Sequence, residues 1–233
     1  QIPEALEATL RPYQVEGVKW MMRLSSWAPG ACLADDMGLG KTVQAIALLL
    51  ARVEEGPALV VAPTSLGFNW EDEIARFAPS LEVVRLRSKI DCEALSKKKT
   101  KKFYRSKVYI TSYELMSRNV ERFESVMWGT FVLDEAQAIK NSATNRAQAA
   151  HKIEARFKLA MTGTPLENHT GELWSLIRTI VPGLLGSQQK FRKRFQIPIE
   201  RHEDANARDA LARLISPFIL RRVKREVARD LPE

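Results

Sequence analysis

A glycine-containing segment near the start of the chain has the residue types needed to bind the phosphates of a nucleotide. It reads Ala31-Cys-Leu-Ala-Asp-Asp-Met-Gly-Leu-Gly-Lys-Thr42, a short apolar run followed by a loop that leads into a helix-period run. Such a loop directs backbone N–H groups and a helix N-terminus at phosphate oxygens. The pattern is that of a GxxxxGK[ST] phosphate loop, except that Asp35 stands where the first glycine belongs.

Four residues of this loop have defined roles in phosphate binding. Gly38 and Gly40 let the backbone approach the ligand, Lys41 would reach the β- and γ-phosphates, and the Thr42 hydroxyl would ligate Mg²⁺. The alternative is an ordinary strand, turn and helix that contain GLGKT by chance. The sequence favours the nucleotide site, because the strand and the helix fall where phosphate binding requires them.

A pair of acids after a later apolar run supplies the second half of such a site. Phe131-Val-Leu133 is followed directly by Asp134 and Glu135, at the carboxyl end of a predicted strand. Ligands bind at this edge of an open parallel sheet. Asp134 is predicted to hold Mg²⁺ through water, and Glu135 to orient and activate the attacking water. Taken alone, the pair could be a solvated acidic turn; together with the phosphate loop, it indicates catalysis.

Short runs rich in β-branched residues alternate with runs of helical period, which predicts an α/β fold with a parallel sheet between two layers of helices. The predicted strands are Ala31–Ala34, Ala58–Ala62, Glu82–Leu86, Val108–Thr111, Phe131–Leu133 and Lys158–Met161. The predicted helices include Thr42–Arg52, Asn69–Phe77, Thr144–Lys152, Gly171–Val181 and Ala205–Leu214. We divide the chain into a helical segment (1–27), a three-layer lobe (28–180) and a helical, basic extension (181–233), with no strand predicted after the lobe.

Composition excludes several classes of protein. The 233 residues are 45% apolar and 27% charged, enough for a core, and no apolar run is long enough to cross a bilayer. The two cysteines have no metal-ligand spacing. Most of the net charge of +8 comes from residues 96–107, which contain seven basic side chains and no acid. This run is either a solvated loop or a contact to nucleic acid. A soluble piece of a longer chain is expected, with no membrane partner.

Read in order, these segments belong to a longer series of motifs. The series is Leu10-Arg-Pro-Tyr-Gln14, Asp35–Thr42, Ala62-Pro-Thr-Ser-Leu-Gly-Phe-Asn-Trp70, Ile110-Thr-Ser-Tyr-Glu114, Leu133–Asn141, Met161-Thr-Gly-Thr-Pro-Leu-Glu-Asn168 and Pro217-Phe-Ile-Leu-Arg-Arg-Val-Lys224. The chain thus resembles the first RecA-like lobe of a Swi/Snf-type ATPase of helicase superfamily two. Gln137 replaces the histidine that most members carry, as in bacterial members, which favours a bacterial origin.

The resemblance implies further roles. Arg11 and Gln14 would contact adenine and so select ATP, and the remaining nucleotide-binding residues would be Asp36, Gly38, Leu39, Gly40, Lys41 and Thr42. The catalytic set would be Lys41, Asp134 and Glu135, with ATP and Mg²⁺ as cofactors and Mg²⁺ held by Thr42 and Asp134. The DNA-backbone contacts would be Pro63, Thr64, Thr111 and Ser112, with Tyr113 in the same segment. The residues that couple nucleotide state to DNA would be Thr162, Gly163 and Thr164.

Four functions are compared. A motor lobe that tracks along double-stranded DNA is favoured, with a second RecA-like lobe of the same parent and a DNA-bound protein as partners, in the cytoplasm and on the nucleoid if bacterial. An RNA helicase is disfavoured by PTSLGFNW and TGTP, where DEAD-box proteins carry PTREL and SAT. A GTPase is disfavoured by the absence of NKxD. A non-catalytic module is disfavoured by the complete set of catalytic residues.

Overall fold

A computed structural model describes residues 2–93, 95, 107–163 and 170–227. Most of the basic run, including Lys97–Lys102, and the predicted coupling residue Thr164 lie outside these ranges. Within the described residues no helix is long and apolar enough to cross a membrane.

A parallel sheet forms the centre of the molecule. Its strands are β1 (Gly30–Leu33), β2 (Ala58–Ala62), β3 (Glu82–Arg85), β4 (Lys107–Ser112), β5 (Trp128–Leu133), β6 (Ala155–Met161) and β7 (Ile219–Leu220). They pair in the order β3-β4-β2-β5-β6-β1-β7, and every pairing is parallel. The α/β class and all six predicted strands are confirmed.

Helices cover the sheet. They are α1 (Pro12–Leu24), α2 (Lys41–Ala51), α3 (Gly67–Phe77), α4 (Lys89–Glu93), α5 (Tyr113–Arg118), α6 (Val120–Glu124), α7 (Asn145–Lys152), α8 (Thr170–Ile180), α9 (Gln188–Phe191), α10 (Ile197–His202) and α11 (Ala205–Ile215). The central strands β2 and β5 are buried at every residue, as expected of strands with helices on both faces. Their sequences, ALVVA and WGTFVL, are largely apolar and contain no charged residue, which suits strands that are covered on both faces.

The strand β7 differs from the sequence prediction, which placed no strand after residue 161. It is only two residues long and lies at the edge of the sheet, where Ile219 pairs with Cys32 and Leu220 with Leu33 of β1. A strand this short has no periodicity to detect. Its pairing with β1 means that the region 181–233 contributes directly to the sheet of the predicted lobe.

Strand register brings the predicted motifs to one edge of the sheet. Val61 of β2 pairs with Leu133 of β5, and Leu33 of β1 pairs with Met161 of β6. Since all strands are parallel, the loops that follow them open on the same side, where ligands bind in open α/β sheets. The phosphate loop follows β1, the acid pair follows β5 and Thr162 follows β6.

Candidate nucleotide-binding site

The loop between β1 and α2, predicted to bind phosphate, has a left-handed backbone at both of its glycines. Gly38 and Gly40 have φ of +84° and +73°, the left-handed region that only glycine enters without strain. A Cβ at Gly40 would lie 2.4 Å from Nε2 of Gln14, so a side chain there would displace Gln14 as well. Lys41 and Thr42 then begin α2 and place its N-terminus at the cavity.

The ammonium group of Lys41 is folded back over the loop. Its Nζ donates to the carbonyl oxygen of Asp35 at 2.8 Å and to that of Asp36 at 3.4 Å. A Cβ added to Gly163 would lie 3.5 Å from the same Nζ, so the segment after β6 runs beside this lysine. The carbonyl groups of the loop thus hold the ammonium group close to the loop backbone.

The predicted adenine contacts are held against the phosphate loop. Gln14 Oε1 accepts a hydrogen bond from the backbone N–H of Arg11 at 2.9 Å, and Gln14 Nε2 donates to the carbonyl of Leu39 at 3.2 Å. The hydroxyl of Tyr13 donates to the same carbonyl at 3.2 Å. The start of α1 is therefore hydrogen-bonded to the loop between β1 and α2.

Asp134 is oriented by hydrogen bonds to both of its carboxylate oxygens. Oδ2 accepts from the indole nitrogen of Trp70 at 2.9 Å, and Oδ1 accepts from the backbone N–H of Glu135 at 2.9 Å. Burial raises the pKa of Asp134, whereas these two hydrogen bonds oppose that change by stabilising the ionised form. The hydroxyl of Tyr113 donates to the Asp134 carbonyl at 2.7 Å and fixes the backbone as well.

Glu135 belongs to a chain of polar contacts that reaches the end of β6. Gln137 Nε2 donates to Glu135 Oε2 at 2.7 Å, and Gln137 Oε1 accepts from the hydroxyl of Thr162 at 3.1 Å. Glu135 itself has φ of +47°, an uncommon conformation for a residue with a side chain. The carboxylate predicted to activate water is thus linked through Gln137 to a residue predicted to couple the nucleotide to DNA.

A cavity of about 790 Å³ joins these groups. Of the predicted nucleotide and catalytic residues, eight line it: Arg11, Gln14, Gly38, Gly40, Lys41, Thr42, Asp134 and Glu135. Asp36 and Leu39 do not line it. The Asp36 carboxylate accepts from the backbone N–H of Lys224 at 3.1 Å, and the Leu39 side chain is fully buried. These two residues therefore contact the rest of the protein and not the cavity.

The residues present fit a nucleotide with Mg²⁺. The cavity volume lies within the range of about 300–1,000 Å³ typical of small-molecule sites. A threonine hydroxyl and one carboxylate suit Mg²⁺, which prefers oxygen ligands and completes its shell with water and substrate phosphates. Residues of α3, Trp70 among them, and of the start of α1 also line the cavity.

The predicted DNA contacts surround a second cavity, of about 260 Å³, at the ends of β2 and β4. Pro63, Thr64, Thr111 and Ser112 all line it. Thr111 is 3% exposed, and its hydroxyl group has no hydrogen-bond partner within the described part of the chain. Ser112 Oγ instead accepts from the backbone N–H of Leu115 and caps α5. Tyr113 points away from this cavity and is buried against Asp134.

Trp70 both packs in the core and orients Asp134. It is 1% exposed, which agrees with a packing role, but its N–H also reaches the carboxylate of Asp134. The sequence indicates only that this tryptophan, if buried, needs a hydrogen-bond acceptor for its indole N–H. Its acceptor lies 64 positions further along the chain, and no local pattern identifies it.

A family model described as the SNF2-related domain matches residues 13–233. The chain is 43% identical over 243 residues to the putative ATP-dependent helicase/translocase YwqA of Bacillus subtilis, covering 100% of this chain and 26% of YwqA. It is 38% identical over 247 residues to the chromatin-remodeling ATPase INO80 of Arabidopsis thaliana, covering 99% of this chain and 16% of that protein.

Solved structures give the same result. The SWI2/SNF2 ATPase core of Sulfolobus solfataricus in complex with dsDNA matches with a TM-score of 0.88 and 39% identity, over 100% of this chain and 49% of that one. The structure titled as the core domain of the same ATPase matches with a TM-score of 0.85 and 39% identity, over 99% and 47%. The chain therefore spans about half of these cores and a smaller share of the curated relatives.

Proposed function

The chain belongs to the SNF2-related family, and on that basis we propose that it is the ATP-binding first lobe of a motor that hydrolyses ATP while it moves along double-stranded DNA. The observation that carries the proposal is one cavity lined by the phosphate loop, the start of α1 and the acid pair after β5. These groups come from distant parts of the sequence, and phosphoryl transfer from ATP requires all of them together.

Binding of ATP follows from the positions of the loop residues. The N–H groups of the loop between β1 and α2 cradle the phosphates, and the ammonium of Lys41 neutralises their charge. Mg²⁺, held by Thr42 and Asp134, would stabilise the charge that develops on the phosphates. Gln14, which is fixed to the carbonyl of Leu39, presents its amide to the adenine.

Hydrolysis requires a water positioned for attack on the γ-phosphate. Glu135 lines the cavity beside Asp134 and is the group we assign to hold this water and take its proton. Its carboxylate oxygen Oε2 accepts a hydrogen bond from Gln137 at 2.7 Å, and the carboxylate keeps further acceptor capacity for the water. Gln137 orients the base and, through Thr162, connects it to the end of β6.

DNA is proposed to bind at the second cavity through its phosphate backbone. Pro63, Thr64, Thr111 and Ser112 lie at one edge of the sheet, at the ends of β2 and β4. Arg85 and Arg87 line the same cavity, and because both lie within ion-pair distance of the single carboxylate of Glu71, the three side chains together carry one net positive charge. Backbone contacts of this kind position a protein on DNA without selecting a sequence. The Sulfolobus SWI2/SNF2 core that this chain resembles was solved with dsDNA.

A second lobe is proposed to complete the motor. The chain matches about half of the solved SWI2/SNF2 cores, and the other half would close over the nucleotide. We assign residues 1–27 to the adenine-binding segment, 28–180 to the lobe and 181–233 to an extension towards that second lobe. We propose that the motor remodels or displaces a protein bound to DNA. The proposed location is the cytoplasm, on the nucleoid if the protein is bacterial.

The test measures ATP binding by this chain and ATP hydrolysis by a protein that carries both lobes. Duplex DNA, single-stranded DNA and RNA are added separately, and duplex DNA is expected to stimulate most. Lys41→Ala is expected to abolish turnover, whereas Glu135→Gln is expected to stop hydrolysis and leave binding intact. Hydrolysis by Glu135→Gln at the wild-type rate would refute the role of Glu135, and stronger stimulation by RNA would refute the DNA motor.

A further inference from the structure

The phosphate loop departs from its usual sequence at Asp35, and the structure gives this residue a partner. Asp35 is 0% exposed and forms an ion pair with Arg222, whose side chain is 11% exposed. Arg222 donates to Asp35 Oδ1 from its backbone N at 3.1 Å and from Nε at 3.0 Å, while its Nη2 donates to Oδ2. The fork geometry of a guanidinium facing a carboxylate is the strongest form of such a pair.

The same guanidinium connects three elements around the nucleotide cavity. Nη2 also donates to Gln44 Oε1 on α2 at 2.9 Å, and Nη1 donates to the carbonyl of Tyr13 on α1. The guanidinium carbon lies 5.2 Å from the centre of the Tyr13 ring. One side chain thus joins the start of the loop, the helix that follows the loop and the adenine-binding segment.

The backbone around Arg222 strengthens the connection. The N–H of Asp36 donates to the carbonyl of Arg222 at 3.0 Å, and the N–H of Ala34 donates to the carbonyl of Leu220 at 2.7 Å. Gly17 provides the space, since a Cβ there would lie 2.8 Å from Arg222 Nη2 and 2.1 Å from Gln44 Oε1. The chain directly after β7 therefore runs beside the start of the phosphate loop and is hydrogen-bonded to it.

We propose that Arg222 is a positioning residue that holds the phosphate loop in its binding conformation by pairing with Asp35. Arg222 acts on Lys41 through a single residue, because the carbonyl of Asp35 is the group to which Lys41 Nζ donates at 2.8 Å. Fixing the Asp35 side chain fixes the backbone where the loop begins, and with it the carbonyl that Lys41 contacts. The proposal rests on the ATP-binding role assigned above to this loop.

A consequence concerns the region that follows β7. Arg222 lies immediately after the sheet ends, in the extension that we assign to the passage towards a second lobe. Any movement that pulls residues 221–224 away from the sheet would release Asp35 and weaken the loop's hold on ATP. ATP affinity would then depend on where the second lobe stands relative to the first.

The experiment compares ATP affinity with stability in variants of this chain. Fluorescent-ATP titration gives Kd, and urea unfolding gives the free energy of unfolding. Binding by the wild type and its loss in Lys41→Ala test the proposed function separately. Arg222→Gln leaves a buried carboxylate without its cation and is expected to unfold at lower urea. Two milder variants therefore test the positioning role. Arg222→Lys keeps the positive charge but loses the two-pronged contact with the carboxylate, and the double variant Asp35→Asn/Arg222→Gln removes both charges.

Both milder variants are expected to remain folded and to bind ATP about tenfold more weakly or worse, the equivalent of about 1.4 kcal/mol. Arg225→Gln, an exposed arginine three positions further on, is the matched control and is expected to bind as the wild type does. Wild-type Kd in either folded milder variant would overturn the positioning role and leave the pair as a stabiliser of the fold. Failure of both to fold would overturn it in the same way.

Discussion

The indole N–H of Trp70 donates a hydrogen bond to Oδ2 of Asp134 across 2.9 Å and thereby links α3 to the end of β5. Both residues line the nucleotide cavity. The bond fixes the rotamer of a carboxylate that we assign to Mg²⁺, so the orientation of this ligand depends on a side chain from another layer of the fold.

Replacement of this indole is expected to weaken the use of Mg²⁺. Trp70→Phe keeps an aromatic ring but removes the donor, and a hydrogen bond to a charged group contributes about 1.5–3 kcal/mol. The Mg²⁺ concentration that gives half-maximal binding of ATP is expected to rise about tenfold. The matched control is Trp128→Phe, which also loses a buried indole hydrogen bond, to the carbonyl of Phe123. An equal change in both variants would attribute the effect to general loss of stability.

The link between Glu135 and Thr162 gives a second prediction. Gln137→Leu and Thr162→Val each break the path at a different atom, so each is expected to lower DNA-stimulated hydrolysis about tenfold with little change in ATP affinity. The double variant is expected to be no slower than either single variant, because both remove one connection. Thr179→Val, which removes a buried hydroxyl bonded to the Ser175 carbonyl within α8, is the control. Fully additive losses would show that the two residues act separately.

Local motifs were enough to predict that residues 35–40 form a loop between a strand and a helix and that Asp134 and Glu135 follow a buried strand, because the residues of each motif are consecutive in sequence. Their roles with a nucleotide remain predictions. The contacts that orient these residues are different in kind. Trp70 and Asp134 are 64 positions apart, and Arg222 and Asp35 are 187 apart. Such pairs are set by the order of the strands in the sheet, which a single sequence does not encode locally.

Lys158 provides a prediction about stability and pH. It lies in the middle of β6, and burial lowers its pKa from 10.5 to about 8. Below pH 8 the lysine is charged in both the folded and the unfolded chain, so the full cost of the buried charge applies. Between pH 8 and 10.5 the folded chain releases this proton first, and the cost declines as pH rises.

Lys158→Met is therefore expected to stabilise the protein more at pH 7 than at pH 10, by about 2 kcal/mol, measured as the free energy of unfolding in urea. Lys152→Met, at an exposed position of α7, is the control and is expected to show no such dependence. A gain from Lys158→Met that is equal at both pH values would mean that the methionine acts through packing alone.

The basic run predicts a salt-dependent contribution to DNA binding. Replacement of five of its six lysines, Lys97–Lys99, Lys101 and Lys102, by glutamine is expected to weaken duplex binding and to flatten its dependence on salt. Each phosphate contact that is lost lowers the slope of log K against log salt by about 0.9. The control for total charge places glutamine at five basic residues that are exposed elsewhere on the chain, Arg192, Lys193, Arg194, Arg201 and Arg208. An unchanged slope would identify the run as a solvated segment.

The chain by itself is expected to bind ATP and to hydrolyse it very slowly. Phosphoryl transfer needs a phosphate cradle, Mg²⁺, a positioned water and a cation that stabilises the charge developing on the γ-phosphate. We assign the cradle to the loop between β1 and α2 and the positioning of water to Glu135. We assign Lys41 to the β- and γ-phosphates, so the additional cation is expected from an arginine of the proposed second lobe. Such an arginine is worth about 10³–10⁵ in rate, and its absence outweighs the smaller effects of residues around the site.

Steady-state hydrolysis with saturating duplex DNA measures this difference directly, by comparing the chain with a protein that carries both lobes. Glu135→Gln in each background gives the rate of any contaminating ATPase. The two-lobed protein is expected to be faster by at least about a thousandfold, because the arginine acts only when the lobes close. Rapid DNA-stimulated turnover by the chain alone would place the stabilising cation in this lobe. In that case Arg11 and Arg76, the two arginines that line the cavity among the described residues, would be the first to replace.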